Sequence, residues 1–228
     1  ETDPDIPAHF SSPNDGGKPR CKALLKQELG LAEGDAPLLV SISRLADQKG
    51  FNLLIPALWE TLRNTDAQVA LLGSGDVNLA AQLHRLAREY PSRVAFVEGY
   101  DNALAHRLEA GGDAFLMPSI FEPCGLNQIY SLRYATLPLV RAVGGLKDTV
   151  VPLADDGTNA GQATGFMFAD PTPDALITEL HRLIRVYQEQ PEVWLGMQRT
   201  AMKQRFEWST AAKAYVSLYR KLLKVPRH

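Results

Sequence analysis

The sequence is poor in the residues that build disulfide scaffolds and zinc sites. Its two cysteines, Cys21 and Cys124, lie far apart and form no CxxC pair, and its five histidines show no metal-ligand spacing. Disulfide-stapled domains and structural zinc sites both depend on closely spaced ligands. The pattern argues against both classes, predicts no metal site, and is typical of a protein in a reducing compartment.

No charge of one sign dominates the chain, and no long apolar run is present. The 24 Lys and Arg residues nearly balance the 26 Asp and Glu residues, which gives a formal net charge of −2. Nucleic acids and anionic membranes attract basic surfaces, and a membrane span needs about 20 consecutive apolar residues. We therefore predict no nucleic-acid partner and no membrane partner. We also expect no secretory signal, since no basic start precedes an apolar segment.

The apolar residues that are present follow an alternating pattern. Apolar residues make up 45% of the 228 positions, which is enough for a large core. Short apolar runs bounded by Gly, Pro or polar residues predict buried strands, and segments with helical spacing lie between them. The alternation predicts an α/β fold with an open parallel sheet. The predicted strands are 37–42, 68–72, 94–97, 114–117 and 137–140, and the predicted helices are 52–62, 77–90, 102–110 and 126–135.

The last quarter of the chain predicts helices instead of further strands. Thr172 and Pro173 form an N-cap followed by a proline at the first helical position, and later apolar residues keep to one face. A second apolar stripe runs along 208–222. If this helix docks on a second domain, we expect Trp208, Tyr215 and Tyr219 either to be partly uncovered in this chain or to repack. The polar and glycine-rich segments 11–18 and 155–165 are predicted loops.

Ligands of open parallel sheets bind beyond the carboxyl ends of the strands. The loop after the first predicted strand carries Arg44 and Lys49, two cations that can stabilise a leaving diphosphate. The alternative is that both are ordinary solvated cations. Gly73 and Gly75, after the second strand, either let the backbone approach a nucleotide or only fit a turn. Tyr100, after the third strand, is either a base-stacking aromatic or a packing residue.

The segment after the fourth predicted strand is the most informative. Pro123 keeps Glu122 out of helical dihedrals, which places that carboxylate at the site. Gly125 and the N–H groups of the next helical turn can point at phosphate, although a plain capped helix is the alternative. Cys124 is not expected to be a covalent nucleophile, because no His or Asp is arranged near it in sequence. A second glycine-rich turn at 144–146 predicts that backbone amides from two loops converge on one ligand.

Four stretches of this sequence resemble the C-terminal domain of bacterial glycogen synthases and plant starch synthases. They are FEPCGLNQ at 121–128, GGLKDTV at 144–150, SRLxxQKG at 43–50 and LGSGD at 72–76, and the resemblance covers almost the whole chain. It implies the C-terminal half of a retaining glucosyltransferase with two Rossmann-like domains, the GT-B architecture. The implied divisions are an interdomain segment at 1–17, a nucleotide-sugar-binding domain at 18–205 and a crossover helix at 206–228.

The resemblance also implies the ligands and the roles of individual residues. The donor is ADP-glucose, the acceptor is the non-reducing end of an α-1,4-glucan, and no metal or other cofactor is needed. Arg44 and Lys49 match cations that contact the donor diphosphate, and Glu122 matches the carboxylate near the reacting sugar. Tyr100 matches the aromatic residue beside the adenine. The other implied donor-binding residues are Gly73, Gly75, Cys124, Gly125, Leu126, Asn127, Gly144 and Gly145.

Three positions depart from patterns common among these transferases. Ile120 stands where a basic residue is common and Asn127 where threonine is common. Tyr130 stands where many related nucleotide-sugar transferases have a second glutamate, which favours the ADP-glucose-dependent synthases. A UDP-sugar-dependent retaining transferase and a non-catalytic nucleotide-sugar or glucan binding module are the alternatives.

The resemblance also shows what this sequence lacks. The N-terminal Rossmann-like domain, which carries a donor loop and most of the acceptor groove, is not in this chain. We therefore expect an enzyme fragment that is inactive alone. The implied location is the cytoplasm for a bacterial source and the plastid stroma for a plant or algal source.

Overall fold

A computed structural model describes residues 2–12 and 14–223, and only the backbone of Thr210. Within this part of the chain, short strands alternate with helices as predicted. The strands are β1 (Leu38–Ile42), β2 (Gln68–Gly73), β3 (Val94–Glu98), β4 (Ala114–Met117), β5 (Leu137–Arg141) and β6 (Phe166–Phe168). The helices are α1 (Gly17–Glu28), α2 (Phe51–Asn64), α3 (Val77–Glu89), α4 (Asn102–Gly111), α5 (Asn127–Arg133), α6 (Gly144–Thr149), α7 (Pro173–Glu189), α8 (Pro191–Met202) and α9 (Trp208–Leu223).

The six strands form one parallel sheet in the order β3-β2-β1-β4-β5-β6. This is the doubly wound Rossmann order, so the predicted fold class is confirmed. The strand order reverses between β1 and β4, where Leu39 pairs with Ala114 and Val40 with Phe115. The loops that follow β1 and β4 therefore begin side by side at the topological switch point, where ligands of such sheets bind.

Helices cover both faces of the sheet. Leu39 of β1 packs into a core shared with α2, α3, α7 and α8, whereas Leu38 and Val40 pack into a second core with α1, α4 and α6. All three side chains are fully buried. Because successive strand residues point to opposite faces, one apolar strand supplies both cores. Each such leucine contributes about 2 kcal/mol of burial free energy.

Side-chain caps fix where three of the helices begin. The carboxylate of Asp76 accepts hydrogen bonds from the backbone N–H groups of Asn78 and Leu79 at the start of α3. Asp101 does the same for α4, and the Thr172 hydroxyl caps α7 ahead of Pro173. These caps satisfy donors that have no partner within the helix. The predicted start of α7 is confirmed.

The structure differs from the sequence prediction in four elements. Helix α1 begins at Gly17, inside the predicted loop 11–18, and the predicted turn at 144–146 is the start of α6. Strand β6 and helix α8 were not predicted individually. β6 was missed because its three residues are too few to show a periodic pattern. α1 was missed because its buried face includes two lysines, which interrupt the apolar pattern. The 155–165 segment contains no helix or strand, as expected.

Helix α9 keeps its apolar stripe exposed. Trp208 is 83% exposed and Tyr219 is 58% exposed, and Leu222 is exposed beside them. The expectation of an uncovered aromatic stripe is thus confirmed. Within the described residues, no helix combines the length and apolar content that a bilayer crossing requires.

Two ionisable groups are buried between α1 and α4. Lys18 Nζ donates to the carbonyls of Ala110 and Tyr134 and to the Thr136 hydroxyl. Burial lowers the pKa of Lys18 to about 8 and raises the pKa of Glu109 well above its ordinary value of 4.5. Within the described residues, Oε2 of Glu109 is buried without a hydrogen-bond partner.

We expect the Glu109→Gln variant to gain stability relative to the wild type as the pH rises. The folded state holds the Glu109 proton more tightly than the unfolded chain, so this group destabilises the fold increasingly above about pH 4.5. Removing the charge should add about 1–3 kcal/mol to the free energy of unfolding at pH 7. Urea unfolding at pH 4, 5.5 and 7 measures this, with the exposed Glu89→Gln as control. An advantage that is equal at all three pH values contradicts the prediction.

Candidate functional site

A partly buried ion pair joins the loops that follow β1 and β4. Lys49 Nζ lies 2.5 Å from Oε2 of Glu122, and the two side chains are 19% and 9% exposed. The Ser119 hydroxyl donates to the same carboxylate oxygen at 3.3 Å. The fold therefore brings together a cation and a carboxylate that lie 73 positions apart in the sequence. Both were predicted site residues.

The ion pair lines a small cavity at the carboxyl ends of β1 and β4. The cavity has a volume of about 90 Å³ and is closed on one side by the start of α5. Asn127 Nδ2 donates to the Ile42 carbonyl at 2.8 Å, which ties α5 to the end of β1. A cavity of this volume holds about three water molecules, so a nucleotide-sized ligand would extend onto the open surface. Its polar lining residues are Ser41, Ser43, Lys49, Ser119, Glu122 and Asn127.

Arg44 lies in the same loop as Lys49 but in a different environment. Its side chain is exposed, and no ion pair involving Arg44 occurs among residues 2–12 and 14–223. Lys49 is neutralised by Glu122, so the alternative of an ordinary solvated cation is wrong for Lys49. Arg44 is a cation that an anionic ligand can reach without first breaking a protein contact.

The loop between β4 and α5 is held from outside through its carbonyl groups. Arg141 donates to the carbonyls of Ser119 and Ile120, and Gln48 Nε2 donates to that of Phe121. The next two carbonyls, at 122 and 123, accept from the Gly145 amide, and those at 124 and 125 accept from Gln128 Nε2. Seven consecutive carbonyls are thus satisfied. Sequence reasoning missed the roles of Arg141, Gln48 and Gln128, because no local pattern shows which carbonyl a side chain reaches.

The second half of this loop contains backbone donors without hydrogen-bond partners in the described part of the chain. Among the described residues, no group accepts a hydrogen bond from the backbone N–H of Cys124, Gly125, Leu126 or Asn127. Gly125 has φ +73, and a Cβ there would lie 2.5 Å from Oε1 of Gln128. Unpaired amides at a helix start attract anions. The Cys124 thiol is exposed and lies 3.4 Å from the Gly125 carbonyl.

The predicted glycines at 144 and 145 pack against this loop. A Cβ at Gly144 would lie 2.1 Å from the Glu122 carbonyl oxygen, and one at Gly145 would lie 2.2 Å from that of Cys124. The Gly145 N–H donates to the carbonyls of Glu122 and Pro123 at 3.2 and 3.1 Å. In this conformation the Gly145 N–H is already hydrogen-bonded to the loop. A direct hydrogen bond from this N–H to a ligand therefore stays a prediction.

The remaining predicted residues lie along the same sheet edge but outside the cavity. A Cβ at Gly73 would lie 2.0 Å from the Ser43 carbonyl oxygen, so this glycine allows the loops after β1 and β2 to touch. A Cβ at Gly75 would lie 2.3 Å from the Leu45 carbonyl oxygen. Tyr100 is 88% exposed, so the alternative that it packs in the interior is wrong. It follows β3, two strand positions from β1, which corresponds to about 10 Å.

One group of residues in the described chain has metal-ligand geometry that the sequence spacing did not reveal. Ligand atoms of Asp3, Asp5 and His106 lie within 4.8 Å of one another. Asp3 Oδ2, however, lies 2.7 Å from His106 Nδ1 and accepts the Tyr134 hydroxyl. Burial tends to raise the pKa of Asp3, but hydrogen bonds from Tyr134 and His106 outweigh it and lower that pKa. His106, which lies in α4, therefore ties the N-terminal segment to that helix.

We expect Gly145→Ala to destabilise the protein and to disturb the loop at 122–124. The new methyl group would overlap the Cys124 carbonyl, at a cost of about 1–3 kcal/mol. Gly196, within α8, has open space around its Cα, so Gly196→Ala should instead stabilise the protein by about 0.5–1 kcal/mol. Thermal unfolding of both variants measures the difference. Equal shifts in the same direction would show that Gly145 has no packing role.

The sequence is similar to those of known glycosyltransferases. The sequence model of the family described as "Glycosyl transferases group 1" matches residues 25–194. The chain is 50% identical over 218 residues to the glycogen synthase of Aeromonas hydrophila, which covers 96% of this chain and 44% of that protein. It is 46% identical over 222 residues to the glycogen synthase of Vibrio cholerae, covering 96% and 45%.

A solved structure shows the same architecture. The fold is similar to the catalytic domain of starch synthase IV from Arabidopsis thaliana bound to ADP and acarbose, with a TM-score of 0.87 and 34% identity. The match covers 96% of this chain and 45% of that one. The chain therefore spans less than half the length of each of these three proteins.

Proposed function

Because the chain belongs to the glycosyl transferases group 1 family, we propose that it is the donor-binding half of an ADP-glucose-dependent glycogen or starch synthase. The complete enzyme would transfer glucose, with retained α-configuration, to the non-reducing end of an α-1,4-glucan. The observation that carries the proposal is the partly buried Lys49–Glu122 pair, which lies beside the unpaired amides of 124–127. A carboxylate, a cation and backbone amides that can bind anions therefore lie together at the carboxyl ends of β1 and β4.

The donor diphosphate is the part of the ligand that this edge suits best. Arg44 and Lys49 supply positive charge, and the amides at the start of α5 supply uncharged donors. These groups balance the phosphate charge with side chains and backbone, so the proposal includes no metal. Tyr100 follows β3, which lies about 10 Å from β1 across the sheet, and its exposed ring is available to stack on the nucleotide base.

Donor binding would break the ion pair between Lys49 and Glu122. Lys49 and Glu122 neutralise each other in this structure, so an incoming diphosphate competes with Glu122 for the ammonium group. Glu122 is then available to the glucose beside the breaking bond. As the diphosphate leaves, Arg44 and Lys49 stabilise the charge that develops on it, while the sugar passes through an oxocarbenium-like state. The acceptor hydroxyl approaches on the face from which the diphosphate departs, so that its oxygen bonds to the anomeric carbon and its proton passes to the departing diphosphate.

The rest of the proposed enzyme would supply the acceptor groove. The relatives are more than twice as long as this chain, and α9 exposes Trp208, Tyr215 and Tyr219 along one stripe. Exposed aromatic stripes of this kind are typical of surfaces that another domain covers. We therefore propose that a second Rossmann-like domain of the same polypeptide completes the site.

We expect the chain to bind ADP and ADP-glucose, and UDP more weakly. Loss of the exposed Arg44 should weaken ADP binding about 10-fold to 100-fold, because a charge-assisted hydrogen bond is lost. Isothermal titration of wild type and Arg44→Ala with ADP, UDP and ADP-glucose measures this. Arg63→Ala, an exposed cation on α2, is the control. Tighter binding of UDP would favour the UDP-sugar transferase, and unchanged ADP affinity in Arg44→Ala would remove Arg44 from the site.

We also expect the chain alone to transfer no glucose at a rate comparable with a full-length synthase. The acceptor would have no groove to hold it, so the reactants would not be oriented. Transfer of radiolabelled glucose from ADP-glucose to glycogen tests this, with a full-length glycogen synthase as positive control. Comparable turnover by the chain would refute the half-enzyme proposal, whereas nucleotide binding without turnover also agrees with a non-catalytic binding module.

A further inference from the structure

We propose that Arg141 is a positioning residue for Glu122, acting through the loop between β4 and α5. The inference rests on the proposed function, because that function gives Glu122 its contact with the donor sugar. Arg141 is the last residue of β5 and is half-buried. Among the described residues it makes no ion pair with Glu122 and does not itself line the cavity; its side chain bonds to the backbone of Ser119 and Ile120.

The need for Arg141 arises where the β4–β5 ladder ends. The last paired residues are Met117 and Val140, and Pro118 follows with no backbone N–H to continue the ladder. The loop then turns away from the sheet and leaves its carbonyls without strand partners. Buried carbonyls need donors. Arg141 Nε donates to the Ser119 carbonyl at 2.9 Å, and a terminal nitrogen of the same guanidinium donates to that of Ile120.

A guanidinium can fix this loop better than other side chains. Its donors lie in one rigid plane, so bonds to two successive carbonyls set both the position and the orientation of the peptide units. The held segment reaches the site directly, because the Ser119 hydroxyl donates to Oε2 of Glu122. That oxygen is also the one paired with Lys49. Arg141 therefore anchors the residue that orients the carboxylate.

The other half of the loop has separate anchors. Gly145 holds the carbonyls at 122 and 123, and Gln128 holds those at 124 and 125. The unpaired amides that would face phosphate lie in this second half. Loss of Arg141 should therefore displace the Glu122 carboxylate while it leaves the phosphate-facing amides in place. A residue that bound the diphosphate directly would have the opposite effect.

Isothermal titration of the full chain with ADP and with ADP-glucose separates these cases. We expect Arg141→Met and Glu122→Gln each to lower the affinity for ADP-glucose relative to that for ADP about tenfold. Neither change should weaken ADP binding, because a displaced or neutral Glu122 side chain no longer competes with the diphosphate for Lys49. The double variant should lose no more affinity for ADP-glucose than either single variant, because both substitutions remove the same contact between Glu122 and the sugar. Arg141→Lys, which keeps one donor group, should retain an intermediate affinity for ADP-glucose.

Three results would overturn the inference. They are an equal loss of ADP and ADP-glucose binding in Arg141→Met, unchanged binding of both, and additive losses in the double variant. Wild-type protein that binds neither nucleotide would instead refute the proposed function. If the wild type binds neither nucleotide, or binds both equally, the titrations do not test Arg141. A crystal structure of Arg141→Lys or Arg141→Met then decides whether Arg141 positions Glu122. A Lys49–Glu122 contact and a 119–122 loop unchanged from this structure would refute positioning by Arg141, and a displaced carboxylate would support it.

Discussion

The ion pair between Lys49 and Glu122 is the interaction on which the arrangement of this site depends. Either charge alone would be costly to bury, because a charged group loses its hydration in the interior. Each partner makes the burial of the other tolerable, and the short contact holds two irregular loops together at the end of the sheet. In the proposed function, a diphosphate that attracts Lys49 would also release Glu122.

The sheet topology decides which loops share this contact. Strands β1 and β4 are neighbours although two strands and three helices separate them in the sequence. The loop after β4 has no regular structure, yet its carbonyls from 119 to 125 are all hydrogen-bonded by groups outside it or by α5. A rigid frame is therefore built around an irregular segment. These hydrogen bonds fix the position of the Glu122 carboxylate although it lies in neither a helix nor a strand.

Most of the fold was predictable from the sequence, and the exceptions have physical reasons. Five strands were located within about two residues, because strands buried on both faces are continuous apolar runs. Strand β6 is too short to carry such a run. Helix α1 was missed because its buried face includes Lys18, whose ammonium group is satisfied only by carbonyls distant in the sequence. The Asp3–His106 contact joins residues 103 positions apart, which spacing rules cannot detect.

The sequence by itself determined the fold class, the family resemblance and the identity of the charged residues at the sheet edge. Local patterns encode these properties, since strand burial, helix caps and glycine turns act over a few residues. Only the tertiary structure decided that Lys49 pairs with Glu122, that Tyr100 is exposed and that Arg141 holds the loop in front of Glu122. Those facts depend on which loops the parallel strand order places side by side. Long-range packing fixes that arrangement, and no single stretch of sequence contains it.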